Sequence, residues 1–466
     1  MTFENNFNSM RIHFISIGGS VMHQLAIALQ KKGYQITGSD DEIFDPAKSV
    51  LATVGLLPAK MGWDTANILP ELDAVIVGMH ARKDNPELVK AQQLGLTIYS
   101  FPEYIYQESK KKTRVAIGGS HGKTSTTAMV MHILSQAKKA FGYLVGARLQ
   151  GFDQSVQITD APILVAEADE YPASALKPVP KFHFLYPHIA VITGIAWDHI
   201  NVFPTFDFYL EQFRIFIQRI EPGGILIYNA SDPVLKELVE KENRTDIRFT
   251  AYNIPDHEIR NGTTYVELEG VKTALQVFGD HNLLNLHAAF LVCRALGLTA
   301  GQILQAAAGF SGAAKRLELL FQNPDQNISI FRDFAHAPSK VKATIEAVKQ
   351  QFPGRKLVAV LELHTYSSLN TAFMDQYNGA MDPADEAIVF YTPHALEMKK
   401  MAPLPPSAVE KGFAKPGLKV VHDKDSLESI LRSTPLNNVN ILLMSSGNYD
   451  GLDLQNWIGK AIKQQN

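Results

Sequence analysis

The chain has 466 residues, 46% of them hydrophobic and 20% charged, with a formal net charge of −3. That length suggests about three domains, and so small a charge excludes the basic footprint of a nucleic-acid binder or of a protein held on an anionic membrane. A single cysteine, Cys293, rules out an intrachain disulfide and sits in an apolar helical run from Ala288 to Leu296, as a core thiol would.

The first nine residues are polar and lack the apolar stretch of a signal peptide. No apolar run approaches the roughly 20 residues of a membrane span, so a cytoplasmic protein without membrane partners is expected. Arg11-Ile-His-Phe-Ile-Ser-Ile-Gly-Gly-Ser opens a strand, a glycine turn and a helix carrying Leu25, Ile27, Ala28 and Leu29. The next strand, from Tyr34, ends on Asp40, where an acidic residue would meet a ribose or base. Ser16 and Val21 stand where a dinucleotide fingerprint wants glycine, so no NAD site is expected. Further strands are expected at 73–79 and 97–100, and the lysine run at 110–112 marks a solvated boundary.

Arg114-Val-Ala-Ile-Gly-Gly-Ser-His-Gly-Lys-Thr-Ser-Thr-Thr follows. It reads as a buried strand, a loop of Gly118, Gly119, Ser120, His121 and Gly122, and a helix opened by Lys123, Thr124 and Ser125. Backbone N–H groups and the helix dipole suit an anion, Lys123 adds a cation, and Thr124 can hold Mg²⁺. Ile117 stands where a Walker loop would have its first glycine, so this loop is one residue shorter. An apolar strand beginning at Pro162 then ends in Glu167, Asp169 and Glu170, and one beginning at His188 ends in Asp198 and His199. Acidic and imidazole groups at strand ends beside a phosphate loop suit a second metal ion. A strand from Ile225 continues the sheet, and residues 248–278 alternate as a small antiparallel insert would. A helix then begins with Asn282 and Asn285 on one side.

Beyond residue 314, strands expected at 328–331, 356–361, 387–391, 418–421 and 440–444 alternate with helical stretches. That pattern is a second doubly wound α/β domain. The expected architecture is therefore α/β in three domains: a Rossmann-like one at 1–111, a central P-loop ATPase-type parallel sheet at 112–314, and a C-terminal Rossmann-like one at 315–466.

These motifs, in this order, resemble the Mur ligase family, ATP-dependent enzymes that add amino acids or peptides to UDP-N-acetylmuramate in peptidoglycan synthesis. The resemblance covers nearly the whole chain and includes the shortened phosphate loop. It implies ATP and Mg²⁺ as cofactors, with Lys123, Glu167, His199 and Arg316 as catalytic groups and Thr124, Glu167 and His199 on the metal. It further implies Asn282 and Asn285 at adenine, Arg316 toward the γ-phosphate and Asp333 on the ribose. Gly18, Gly19, Ser20, Asp40, His80 and Asn85 are candidates for the UDP-sugar, and His336 and His364 for the amine. The partners implied are UDP-N-acetylmuramate and an amino acid or peptide, in a monomer or weak homodimer. Phe213 stands where other members carry a carbamoylated lysine, so no such modification is expected.

Within the family, Glu167-Ala-Asp-Glu-Tyr and Asp84-Asn-Pro are similar to the branch that returns the tripeptide L-alanyl-γ-D-glutamyl-meso-diaminopimelate to UDP-N-acetylmuramate. Glu362-Leu-His-Thr-Tyr-Ser-Ser is closer to the branch that adds L-alanine. The first branch is the expected one.

Overall fold

The structure is a computed structural model that describes residues 9–146, 149, 151–174, 177, 179–197, 202–313 and 316–463. It divides into two compact units, residues 1–254 with 284–307, and residues 255–283 with 308–466.

The first unit holds two sheets. One has four parallel strands in the order Gln35–Ser39, Arg11–Ile15, Ala74–Val77, Ile98–Ser100. Every residue of Ala74–Val77 is buried, as expected of an apolar run covered on both faces. The helix Phe101–Ser109 follows, started by a capping box between Ser100 and Glu103. At its other end the buried Arg114 gathers chain from three directions. It donates to Ser109 O at 2.9 Å, Tyr186 O at 2.8 Å and Leu185 O at 3.0 Å, and pairs with Glu221 at 2.6 Å.

The second sheet has seven strands in the order Arg248–Tyr252, Ile225–Asn229, Ile189–Ile192, Thr113–Gly118, Ile163–Glu167, Gly142–Leu144, Val156–Gln157. All its pairings are parallel except the last. The expected antiparallel insert therefore starts later than the alternation suggested: Arg248–Tyr252 is a parallel edge strand, and only the residues after it turn back on themselves. An edge strand with one wet side alternates whichever way its neighbour runs. The helix Lys123–Gln136 buries nine of its residues, and Phe213 on the helix Phe206–Gln218 is fully buried. Cys293 is buried too.

The second unit carries the antiparallel strands His257–Arg260, Thr263–Leu268 and Val271–Leu275. Beside them is a six-stranded sheet in the order Glu318–Asn323, Ile328–Asp333, Val439–Met444, Lys356–Glu362, Glu386–Phe390, Lys419–Val421. Its first pairing is antiparallel and the rest parallel. The small sheet is tied on by Gln351, which accepts from Thr264 Oγ1 at 2.8 Å and donates to Gly262 O at 2.7 Å. The strands at 142–144, 156–157 and 318–323 were not foreseen; the first two have only three and two residues, and the third is mostly half-exposed. Among the described residues no helix is long and apolar enough to cross a membrane.

Candidate functional site

Thr113–Gly118 lies between Ile163–Glu167 and Ile189–Ile192, so the loop after it opens at the middle of the sheet's carboxyl edge. That is where α/β sheets bind ligands. Two of its glycines are forced. Gly119 has φ 124°, and a β-carbon there would lie 2.3 Å from Thr193 Oγ1. Gly122 has φ 84°, and its β-carbon would lie 2.4 Å from Asn285 Oδ1. Both conformations belong to the region that L side chains rarely adopt.

Neighbouring strands hold the loop in place. Thr193 donates to Gly118 O through its N–H at 3.0 Å and its hydroxyl at 3.1 Å. Ser120 donates its N–H to Gly194 O at 2.9 Å, while its Oγ lies 2.8 Å from both Tyr209 OH and Ala196 N–H. Its hydroxyl is therefore committed to the scaffold. Asn285 accepts from Thr126 Oγ1 at 3.1 Å, which fixes it against Gly122. His121 is half-buried at the loop's turn.

Lys123 and Thr124 open the helix and each meets a carboxylate. Lys123 Nζ donates to Gly119 O at 2.6 Å and to Glu170 at 2.7 and 3.0 Å. Glu170 is 1% exposed, and burial pushes its carboxyl above the ordinary value against the pull of Lys123. Thr124 Oγ1 donates to Glu167 Oε1 at 2.9 Å, and Gly146 N–H to Glu167 Oε2 at 3.0 Å. Asp169 turns aside to Lys181, 2.6 Å away. Burial pushes the Asp169 carboxyl up, but Lys181 and further donors outweigh it and hold it low. Ser125 is buried in the helix's first turn. Asp198 and His199 lie outside the described residues, and among those described no cluster of three or more His, Cys, Asp or Glu could hold a metal. Thr124 and Glu167 nonetheless supply a hydroxyl and a carboxylate side by side, the oxygen donors that Mg²⁺ takes when waters and phosphates complete its shell.

In the four-stranded sheet, Gly18 N–H donates to Asp40 Oδ2 at 2.7 Å, and a β-carbon on Gly18 would lie 2.9 Å from that oxygen. Burial pushes the Asp40 carboxyl up to about 6, opposed by the Gly18 hydrogen bond. Gly19 adjoins this turn, while Ser20 and His80 are exposed. Asn85 is an N-cap: its Oδ1 accepts from Glu87 N–H at 3.0 Å and Leu88 N–H at 3.1 Å.

In the second unit, Asn282 donates to Phe278 O at 2.9 Å. Asp333 accepts from Leu317 N–H and Ala335 N–H, both at 2.6 Å. Burial raises its carboxyl, with His281 and Arg316 opposing. The Arg316 guanidinium lies 4.9 Å from the centre of the Phe334 ring. His336 Nδ1 lies 2.8 Å from Phe334 O, and His364 is part-exposed just past the strand Lys356–Glu362.

Sequence reading assigns Thr193 no role and places Glu170 only in an acidic strand end suited to a metal ion, whereas in the structure Glu170 holds Lys123. Thr193 was invisible because nothing in its neighbourhood marks it as the loop's anchor. Glu170 stood in the acidic run at the strand end, but only the fold pairs it with Lys123.

Three family models match the chain in succession: "Mur ligase family, catalytic domain" over residues 11–113, "Mur ligase middle domain" over 117–293, and "Mur ligase, glutamate ligase domain" over 315–447. The chain is 32% identical over 379 residues to a UDP-N-acetylmuramate–L-alanine ligase of Desulforamulus reducens, covering 78% of this chain and 79% of that one. Among solved structures, the UDP-N-acetylmuramate–alanine ligase of Thermotoga maritima matches with TM-score 0.66 at 22% identity, over 98% of this chain and 99% of the other. A murein peptide ligase from Psychrobacter arcticus matches with TM-score 0.61 at 22% identity, over 97% and 99%. At such identities the two structures speak for the fold.

Proposed function

Since the chain belongs to the Mur ligase family of ATP-dependent, amide-forming ligases, we propose that it joins the lactyl carboxyl of UDP-N-acetylmuramate to an L-alanyl amine. That amine belongs to L-alanine itself or to a peptide that begins with it. The observation that carries this is the loop at residues 118–122, a glycine turn that joins a central strand to a helix opened by Lys123, the arrangement that binds a phosphate.

The carboxylate attacks the γ-phosphate of ATP, giving an acyl phosphate and ADP, and the amine then displaces phosphate through a tetrahedral intermediate. Lys123 and Arg316 offset charge on the transferring group, chiefly by position and electrostatics. Thr124 and Glu167 are the groups that would hold Mg²⁺, with His199 as a third; when bound, the ion would neutralise phosphate charge. Residues 1–111 serve the UDP-sugar, 112–314 the nucleotide and 315–466 the amine. Asn282, Asn285 and Asp333 are assigned to the adenosine.

The alanine-ligase relatives support free L-alanine as the acceptor. One observation favours a peptide. Two residues past His364, the Tyr366 ring is 65% exposed and Lys399 Nζ lies 4.8 Å from its centre, beside Met398 at 72% exposed. A wide aromatic and cationic surface suits the carboxylates of a longer acceptor. Phosphate release from ATP and UDP-N-acetylmuramate, compared between L-alanine and L-alanyl-γ-D-glutamyl-meso-diaminopimelate, separates the two. Release with neither overturns the ligase assignment.

A further inference from the structure

Glu362 ends its strand 4% exposed, and its two oxygens keep different company. Oε2 accepts from Tyr449 N–H at 2.9 Å and from the Ser445 hydroxyl, whose oxygen in turn accepts from Gly447 N–H at 2.7 Å. Oε1 makes no hydrogen bond among the described residues, and His364 Nδ1 stands 3.8 Å from it. Gly447 packs over the pair: a β-carbon there would lie 2.8 Å from His364 Cγ and 2.9 Å from Glu362 Oε2. Next to it, the Ser446 hydroxyl is buried without a partner.

Among the described residues Glu362 Oε1 is left without a donor from the protein, and the His364 imidazole N–H is the donor nearest to it. Movement of the ring by about 1 Å closes the distance to hydrogen-bond range. Catalytic hydrogen bonds are commonly long before substrate binds. With Nδ1–H directed to Glu362, the lone pair sits on Nε2, which makes that atom the basic site of a part-exposed ring.

We propose that His364 Nε2 takes the proton from the acceptor's ammonium group and that Glu362 positions His364 for it. This rests on the ligase function proposed above. The acceptor enters as R–NH₃⁺, and one N–H bond breaks as its proton passes to Nε2. The freed lone pair attacks the acyl-phosphate carbon; the C–N bond forms, the C–O bond to phosphate breaks, and phosphate departs with the electron pair. The nitrogen's second proton is released to phosphate or water.

Among the described residues, Tyr449 and Asp333 are the other titratable groups that bear on the pair. Burial, and then the Glu362 charge, push the Tyr449 phenol well above its ordinary value; it lies 2.9 Å from Met444 O and 3.3 Å from Val360 O. Asp333, on the strand Ile328–Asp333, acts on the same phenol through its charge.

The test uses the full-length protein and two nucleophiles. Hydroxylamine is unprotonated at neutral pH and traps an acyl phosphate without needing a base. Wild-type protein with ATP and UDP-N-acetylmuramate should give the hydroxamate, and its absence would overturn the ligase assignment itself. In E362Q and H364Q, hydroxamate formation should match wild type while ligation of the acceptor amine falls on the order of 10²-fold. The deficit should shrink as pH rises toward the amine's own pKa, and E362D should recover part of the loss. An equal fall with both nucleophiles, or unchanged ligation at every pH, would overturn the proton-acceptor role. H364Q alters a part-exposed side chain, so it keeps the test valid if E362Q fails to fold.

Discussion

Lys123 Nζ lies 2.7 Å from one oxygen of Glu170 and 3.0 Å from the other, so the loop's cation is gripped by a carboxylate that is only 1% exposed. Removing one member of so buried a pair leaves the other charge stranded, which commonly costs about 3–5 kcal/mol.

Lys123→Ala should therefore do two things at once. ATP turnover should fall by on the order of 10²-fold or more, and the urea midpoint should drop. Adding Glu170→Gln should restore most of the stability and none of the turnover. Burial raises the Glu170 carboxyl pKa even beside Lys123, so the folded state holds its proton more tightly than the unfolded chain does; without Lys123 that preference grows, and the instability of Lys123→Ala should deepen as pH rises. Stability that stays low in the double variant would show that Glu170 is not the stranded charge.

Gly119→Ala places a β-carbon 2.3 Å from Thr193 Oγ1 in a backbone with φ 124°. The strain should cost roughly 1–3 kcal/mol, and ATP turnover should be lost because the loop must shift. Denaturant unfolding and phosphate release, measured on the same preparation, check both. A variant with normal turnover would mean that the loop binds no phosphate in this conformation.

Asp40 supplies a pH signature. Its folded pKa is about 6 against an ordinary 3.8, so the native state holds the proton more tightly than the unfolded one. Wild-type stability from this group should fall as pH rises from about 4 to about 6 and then level off, by at most ~3 kcal/mol. Asp40→Asn keeps an acceptor for Gly18 N–H and should lack that slope. Parallel stability curves for the two proteins would refute the shift.

Tyr366→Ala and Lys399→Ala bear on the acceptor. If a peptide is taken, each should raise its KM by about tenfold, the worth of one cation–π or charge-assisted contact near 1–2 kcal/mol. Hydroxamate formation should be unchanged. If free L-alanine is the acceptor, neither substitution should alter its KM.

Much of the fold was legible because its signals are local. Apolar runs of four or five residues bounded by glycine and acidic clusters located the strands of both larger sheets, and Gly-Lys-Thr at a helix start marked the phosphate loop. The three missed strands, at 142–144, 156–157 and 318–323, are short or half-exposed and carry little such contrast. The alternation after residue 248 was a real signal read with the wrong partner, since an edge strand alternates whether its neighbour is parallel or antiparallel.

The site divides in the same way. Residues 118–124 could be named from the sequence because glycine, lysine and threonine at fixed offsets are what a strand-to-helix anion turn needs. Which groups serve them is another matter: Glu170 meets Lys123 across 47 residues, and Asn285 reaches Thr126 across 159. Asn85 shows the converse, an attractive polar residue whose acceptor the fold spends on a helix cap. By itself the sequence determined the elements, their order and the phosphate loop, because periodicity and turn chemistry act over a few residues. Only the tertiary structure decided which carboxylate holds Lys123 and which one stands beside His364, because those pairings depend on which strand ends the sheet order brings side by side.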